Sequence, residues 1–486
     1  MNPRSVLAAV LAAGLLLAAL PVTATAGTAA CDGAQDFDGD GQADAVVGDP
    51  LAGAGGTRGA GAVHIVPIGD AGKGTVLTSP DPRAGDAFGW SVRTALLDDD
   101  PCLDVVVGAP YAAVDGEAGA GAAYVFYGGA APRRDPVRLT APTPERDAHF
   151  GWSLAAGRLP GEPAAVVVGA PYEDADATTD SGAVYVYGAR DLTDARPITQ
   201  ESEGVVGNGE EGDLYGWSLA LGRLGGTPGD LDLAIGTPYE NNDGAGKQTG
   251  NTGKDNSGAV EVLFDVTDPG ELSAVKWTLS EAARGLPENA GDRFGHALAY
   301  AEFKGDPYLA VSAPLADTGG RDSGVVQLFG LNSKGELAPA RTLRPGVGGL
   351  RGDSPAAGSA FGWSLTMLAA SGDLSLAVGS PFESRGGTET GVVRRIPLTG
   401  DGTAGMITAP GAVPYDHFGW SLATSGSADP LSAGDVLLAG SPDQSAGKGA
   451  LTLLRPGSPP RVVAPGLNGL PAAPGTALAD FGASLG

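Results

Sequence analysis

One short signature recurs along the chain and restricts its fold more than any other feature. Phe-Gly-Trp-Ser stands at Phe88-Gly89-Trp90-Ser91, Phe150-Gly151-Trp152-Ser153, Phe361-Gly362-Trp363-Ser364 and Phe418-Gly419-Trp420-Ser421, with Tyr215-Gly216-Trp217-Ser218 as a close variant. Phe294-Gly295-His296 is a weaker copy, and Phe481-Gly482-Ala483-Ser484 closes the chain. About 20 residues after each internal copy comes a second signature, Val-Val-Gly-Ala-Pro or a near variant, ending at Pro110, Pro171, Pro238, Pro314, Pro381 and Pro442. Gly48-Asp49-Pro50 is a further copy with no Phe-Gly before it. Two signatures in constant order, repeating roughly every 60–80 residues, mark a repeat architecture.

Each repeat divides into four short β segments. In the second repeat they are residues 88–97, the continuous apolar run 105–108, the aromatic-rich 122–127 and the alternating 137–140. A run apolar at every position suits a strand covered on both faces, whereas alternation suits an outer strand with one wet face. The same four recur, with fourth strands expected at 75–78, 197–200, 275–279, 341–343, 406–408 and 461–464. No segment has a helical period, so the fold class is all-β. Tandem four-stranded antiparallel units describe a seven-bladed β-propeller. The first unit lacks its own Phe-Gly strand and the C-terminus carries a spare one. The ring is therefore expected to close by pairing residues 481–485 with residues 45–49, which removes the exposed edges of an open array. The repeated Phe and Trp are read as blade-to-blade packing.

Residues 1–26 read as a secretory signal peptide, with Arg4, an apolar run over 6–20, Pro21 and the small-residue site Ala24-Thr25-Ala26. The apolar run is short for a membrane span, and Thr28-Ala29-Ala30 before Cys31 is a poor lipidation context. The mature domain is then 27–486. Its 80 Gly and 37 Pro fall between apolar runs, as many tight turns require. The formal charge of −27 repels nucleic acid and anionic membranes and attracts divalent cations. Cys31 and Cys102 are either one disulfide or two unrelated thiols.

These residues carry a resemblance. Phe-Gly followed by Gly-Ala-Pro is the signature of FG-GAP repeats, and the chain resembles the N-terminal propeller of integrin α chains and related bacterial secreted proteins. The resemblance covers essentially the whole mature chain. It implies a monomeric, secreted binding or adhesion module whose ligand is an extracellular protein or a cell-surface polymer, with no membrane span after signal cleavage. Ligand contacts would come from the face opposite the calcium loops, here from 239–256 and 345–360. An extracellular hydrolase and a structural wall or matrix component are the alternatives; no catalytic constellation is visible, so no enzyme is expected.

The sharpest chemical motif is Asp36-Phe37-Asp38-Gly39-Asp40-Gly41-Gln42-Ala43-Asp44. Asp36, Asp38, Asp40 and Asp44, with the main-chain carbonyl of Gln42, offer hard oxygen donors that suit Ca²⁺ if the loop curls. An EF-hand would need Glu where Val47 stands; the loop is similar instead to the calcium loops of integrin propellers. Blade two keeps Asp98, Asp100 and Asp104 but has lost the first acid and the glycine, and blade four keeps Asp232. Blade seven keeps Asp429 and Asp435. Other motifs carry little. Gly482–Gly486 fits Gly-x-Ser-x-Gly but is a degenerate repeat strand, and Gly207–Gly212 fits Gly-x-Gly-x-x-Gly within an acidic loop. Arg351-Gly352-Asp353 matches a tripeptide that many integrins bind, and a plain turn serves as well. His64, His149, His296 and His417 include two at equivalent repeat positions, which argues for structure.

Overall fold

The computed structural model describes residue 31 and residues 35–486, except 55, 70–73, 130–133, 160, 189–190, 242–253, 269, 348–349, 351–352, 355, 371, 426–433, 467–469 and 472–478. The signal-peptide reading lies outside the described residues. No helix among them is long and apolar enough to cross a membrane.

Seven four-stranded antiparallel sheets form the blades of a propeller. Blade two is built from Ser91–Ala95, Asp104–Ala109, Ala122–Phe126 and Val137–Leu139. Blade three has Ser153–Gly157, Ala165–Ala170, Ala183–Gly188 and Asp191–Ile198; blade four has Ser218–Gly222, Asp232–Thr237, Ala259–Phe264 and Ser273–Thr278. Blade five has Leu298–Phe303, Asp306–Ala313, Val325–Leu331 and Leu337–Leu343; blade six has Leu365–Ala370, Asp373–Ser380, Val392–Pro397 and Gly405–Ile407. Blade seven has Leu422–Ser425, Val436–Ser441, Ala450–Leu454 and Arg461–Val463. Blade one takes Asp44–Asp49, Ala62–Pro67 and Thr75–Leu77 from the N-terminal unit and its innermost strand, Ser484–Leu485, from the C-terminus. The second strands are buried along nearly their whole length because a neighbouring blade covers each face, as in Asp104–Ala109; only the outer ends of Asp306–Ala313 and Asp373–Ser380 are wet. The outer strands are the wettest, as in Gly405–Ile407.

The Phe-Gly-Trp-Ser signature is a turn and a seam, and the first strand begins at its serine or at the residue after it. The residue before Phe is left-handed without being glycine, as at Ala87, His149, Leu214, Arg293, Ala360 and His417, and its carbonyl accepts the N–H three residues on. The turn closes over residues 87–90 with Gly89 also at positive φ, and an extended strand cannot run through it, which is why the first strand of blade two is Ser91–Ala95 and not 88–97. Phe88, Phe150, Phe294, Phe361, Phe418 and Phe481 are fully buried between blades. The glycine after Phe lies at positive φ, +93° at Gly89, where a Cβ would stand 2.5 Å from the Ala62 carbonyl. The serine then crosses the seam. Ser91 Oγ donates to the Gly151 carbonyl at 2.7 Å, Ser153 to Gly216, Ser218 to Gly295, Ser364 to Gly419 and Ser421 to Gly482. Blade five departs from the pattern. Ala297 replaces its serine, and Ser312 replaces the glycine of the second signature and accepts the Ala297 N–H at 3.0 Å.

Closure follows the same chemistry. Gly482 N–H donates to the Gly48 carbonyl at 3.0 Å, and Ser484 Oγ donates to the Gly89 carbonyl at 2.7 Å. The strand pairing is narrower than the sequence suggests, with Leu485 opposite Val47 and Ser484 opposite Gly48. Phe481 is spent on the seam instead: it bridges Gly449 of blade seven and meets His64 of blade one edge-on at 5.1 Å. A second boundary moves for a similar reason. The fourth strand of blade three is Asp191–Ile198, because a bulge at Tyr187/Gly188 carries the pairing back toward Asp191. If closure bears the same load as an internal seam, Phe481→Ala and Phe150→Ala should each cost about 3–5 kcal/mol. Denaturant melts of the two variants check this, and a Phe481→Ala cost below about 1 kcal/mol would contradict it.

Candidate functional site

The Asp36 loop curls as its glycines allow, with Gly39 and Gly41 at φ +77° and +82°. Asp36 is buried, and its carboxylate accepts the N–H groups of Gly39 at 2.7 Å and Gly41 at 2.8 Å. Asp40 Oδ1 accepts the Gln42 N–H at 2.8 Å, while the Gln42 side chain donates back to Asp40. One carboxylate oxygen each from Asp36, Asp38 and Asp40 lies within 4.8 Å of the others. Asp44 stands apart from that trio. Its Oδ2 accepts the Phe37 N–H at 2.9 Å, while its Oδ1 is buried without a hydrogen-bond partner. Burial pushes the Asp44 carboxyl up to about 7, and the charges of Asp38, Asp36 and Asp40 add to the rise. Three converging carboxylates and an orphaned buried oxygen are what a hard divalent cation satisfies, so the residues present fit Ca²⁺.

The loop is fixed to the next blade. Leu103 N–H donates to the Asp36 carbonyl at 3.0 Å and Gly129 N–H to the Phe37 carbonyl at 2.8 Å. The two cysteines are bridged, Cys31 to Cys102, with Cα atoms 5.0 Å apart. Cross-linking positions 71 residues apart removes about 4 kcal/mol of unfolded-chain freedom on a loop-closure account.

Equivalent loops have found protein partners for their acids. In blade two Arg134 pairs with Asp98 at 3.0 Å, and Asp104 spends both oxygens on the N–H groups of Leu97 and Gly128. In blade four Asp232 accepts from Leu224, Gly226 and Asp265. The last acid of the loop therefore has a structural task in all three blades, and Asp44 alone keeps an oxygen free. In blade seven Asp429 lies outside the described residues.

The opposite mouth of the central channel is aromatic. Trp90, Trp152 and Trp217 follow one another at centroid distances of 4.8 and 4.9 Å. The series continues through His296 and Trp363 to Trp420, at 6.1, 4.8 and 5.2 Å. These rings pack blade to blade, as the sequence suggests, but each is only half-buried and lines a cavity of about 230 Å³. Burial lowers His296 to about 4, so it joins the ring as a neutral imidazole. A second tier stands outside the first. Tyr111, Tyr172, Tyr239 and Phe382 each meet the tryptophan of their own blade at 5.0–5.5 Å. The sequence reading missed this tier, although all four directly follow the proline of the second signature.

The remaining motifs resolve as structure. Asp353 is tied to the buried Arg394 at 2.5 Å and to Arg385 at 3.3 Å, so its carboxylate is committed within the fold; Arg351 and Gly352 lie outside the described residues. Ser484 spends its hydroxyl on the closing seam. In the loop at 207–212 the Gly209 N–H is already taken by Glu201 Oε1. His417 has both ring nitrogens within reach of carboxylates, Asp443 at 2.7 Å and Glu389 at 3.2 Å, which leaves neither nitrogen for a nucleophile. Most of the long 239–256 loop is also outside the described residues.

Residues 73–126 and 134–187 each match the model of the FG-GAP repeat family. The chain carries FG-GAP repeats. Each matched FG-GAP unit starts at the outer strand of one blade and ends in the third strand of the next, so the sequence repeat straddles the blade boundary. This phase fits the closure of the ring, in which blade one takes its innermost strand from the C-terminus. The chain is also 31% identical over 179 residues to human phosphatidylinositol-glycan-specific phospholipase D, a match covering 34% of this chain and 20% of that protein. It thus spans about a fifth of the length of this curated relative.

A second acidic group surrounds Lys276 of blade four. Glu240 pairs with it at 2.9 Å, and burial pushes Asp213 up to about 9, with Glu240 adding repulsion, and Glu261 up to about 7. Asp213 therefore holds its proton in the fold at pH values where the unfolded chain has lost it. That stabilisation is complete below about pH 4 and is lost as pH rises toward 9. In a chelating buffer the melting temperature should fall between pH 5 and pH 9, and Asp213→Asn should flatten the fall. A melting temperature that rises over that interval would contradict the assignment.

Proposed function

We propose that this chain is an exported, monomeric, calcium-binding FG-GAP propeller that acts as a binding or adhesion module and not as an enzyme. Its ligand is an extracellular protein or a cell-surface polymer, taken up at the aromatic mouth. The observation that carries this reading is the double tier of half-buried rings from Trp90 to Trp420. A packed core would cover such rings, whereas a recognition surface presents large rigid aromatics whose ordering costs little entropy. The mouth also lies opposite the Asp36 loop, because Trp90 precedes the first strand of its blade and the metal loops follow it. The Cys31–Cys102 bridge supports an oxidising compartment. The acids of the Asp36 loop would hold the cation, which when bound neutralises their mutual repulsion and locks blade one against blade two.

Two measurements test the two halves separately. Calcium at about 100 times its dissociation constant should stabilise the fold by roughly 2.7 kcal/mol, a rise of several degrees. Asp38→Ala with Asp40→Ala should abolish that rise, and Asp44→Asn should weaken it; a full wild-type shift in the double variant would move the site elsewhere. For recognition, retention on insoluble cell-surface polysaccharide and on immobilised extracellular-matrix protein should fall at least about ten-fold for Trp152→Ala with Trp363→Ala. Equal retention of variant and wild type would remove the aromatic mouth from the account.

A further inference from the structure

The first strands of the blades line the channel between its two mouths. Two residues after the seam serine, or after Ala297 in blade five, six blades place a small residue there: Ala155, Ala220, Ala299, Thr366, Ala423 and Gly486. Blade two places Arg93. Arg93 lines both halves of the channel, the cavity of about 230 Å³ beneath the tryptophans and a second of about 180 Å³ toward the opposite face. It is the only Asp, Glu, Lys or Arg among the residues lining either half. Of the five N–H donors of a guanidinium, one is assigned: Nη1 donates to the Val92 carbonyl at 2.9 Å. No carboxylate of the described residues lies within ion-pair distance. The main chain of Gly486, which reaches the same layer, bonds to Val46.

We infer that the middle of the channel is an anion site in which Arg93 binds a carboxylate. The Arg93 side chain is part-buried and faces the channel inside the ring with no counter-charge, a less favourable setting for a cation than bulk water. Burial accordingly lowers the Arg93 guanidinium from its usual value, with no acidic neighbour to offset it. Arginine does not escape by losing its proton, since it remains charged at any physiological pH. An anion is the remaining remedy, and the planar fork of the guanidinium matches a carboxylate through two parallel hydrogen bonds. The six small neighbours leave the room, and the Thr366 hydroxyl at the same level supplies a further donor. The acidic exterior does not forbid entry, because at physiological salt its field decays over about 8 Å. The site is separate from the Asp36 loop and does not require a ligand at the aromatic mouth. The carboxylate has two sources, a free small acid or an acidic group carried by a larger ligand through that mouth.

The test uses the full chain with saturating calcium at constant ionic strength. Acetate or formate replaces chloride in one series, and a tetra-aspartate peptide is titrated in another. The melting temperature of the wild type should rise saturably, and Arg93→Met, which keeps the stem and removes the charge, should show no rise. In chloride alone Arg93→Met should melt no lower than wild type. A response to acetate and formate assigns a free acid; a response to the peptide alone assigns a carboxylate borne by a partner. Indistinguishable curves for wild type and Arg93→Met with every probe would overturn the proposal. If Arg93→Met does not fold, Arg93→Lys decides: its half-saturating concentration should rise at least about ten-fold, and an unchanged value would overturn the proposal equally.

Discussion

The hydrogen bond from the seam serine to the next blade's glycine carbonyl is the contact on which the molecule turns. It recurs from Ser91 to Ser421 and closes through Ser484. It forms only where two main chains approach more closely than any side chain would permit. A Cβ on Gly108 would stand 2.0 Å from the Gly151 carbonyl, and one on Gly48 would stand 2.1 Å from that of Gly89. Glycine in both signatures is therefore a condition of blade-to-blade contact. The buried phenylalanine beside it supplies the apolar energy that holds the blades together. Blade five departs from it: Ala297 stands in place of the seam serine, and the Ser312 hydroxyl bonds within the blade, to Ala297.

From this seam follow the two ends of the channel. The turn that carries Phe-Gly throws each tryptophan onto one mouth, and the strand it starts delivers the connection to the second strand onto the other. The aromatic mouth and the Asp36 loop are thus separated by the length of one strand. The acids at the second mouth differ from blade to blade, but the last of each loop, Asp44, Asp104 or Asp232, accepts main-chain N–H groups in all three. Asp104 and Asp232 have both oxygens engaged by main-chain N–H groups, and Arg134 pairs with Asp98. Blade one retained the full set together with an unsatisfied Asp44 oxygen.

Much of this was legible in the sequence, and the remainder was hidden for identifiable reasons. The second strands announced themselves, because a run such as Val105-Val106-Val107 has no place except between two apolar surfaces. Closure by residues 481–485 was legible from a count of signatures, but its register was not, since Phe481 serves the seam and leaves pairing to Ser484–Leu485. The turn before each strand escaped notice because no residue type marks it: the left-handed position is Ala87, His149, Leu214 or Arg293. The outer aromatic tier was visible as the residue after each proline, though only a folded ring shows that Tyr111 and Tyr172 share one rim. The bridge between Cys31 and Cys102 was legible once their loops were placed as equivalents on adjacent blades. Nothing in the sequence marked Arg93, whose meaning comes from six small residues contributed by other blades.

Amide hydrogen exchange tests most directly whether one repeated seam builds a closed ring. Gly151 and Gly419 donate their amides within internal blades, and Gly482 donates across the joint between the chain ends. Local opening exposes an amide at a rate set by the stability of the unit that holds it. The amide of Gly482 should exchange as slowly as those of Gly151 and Gly419, and all three should slow together when calcium is added. Exchange at Gly482 faster by orders of magnitude, with the other two still protected, would mean that the ring stands open at blade one.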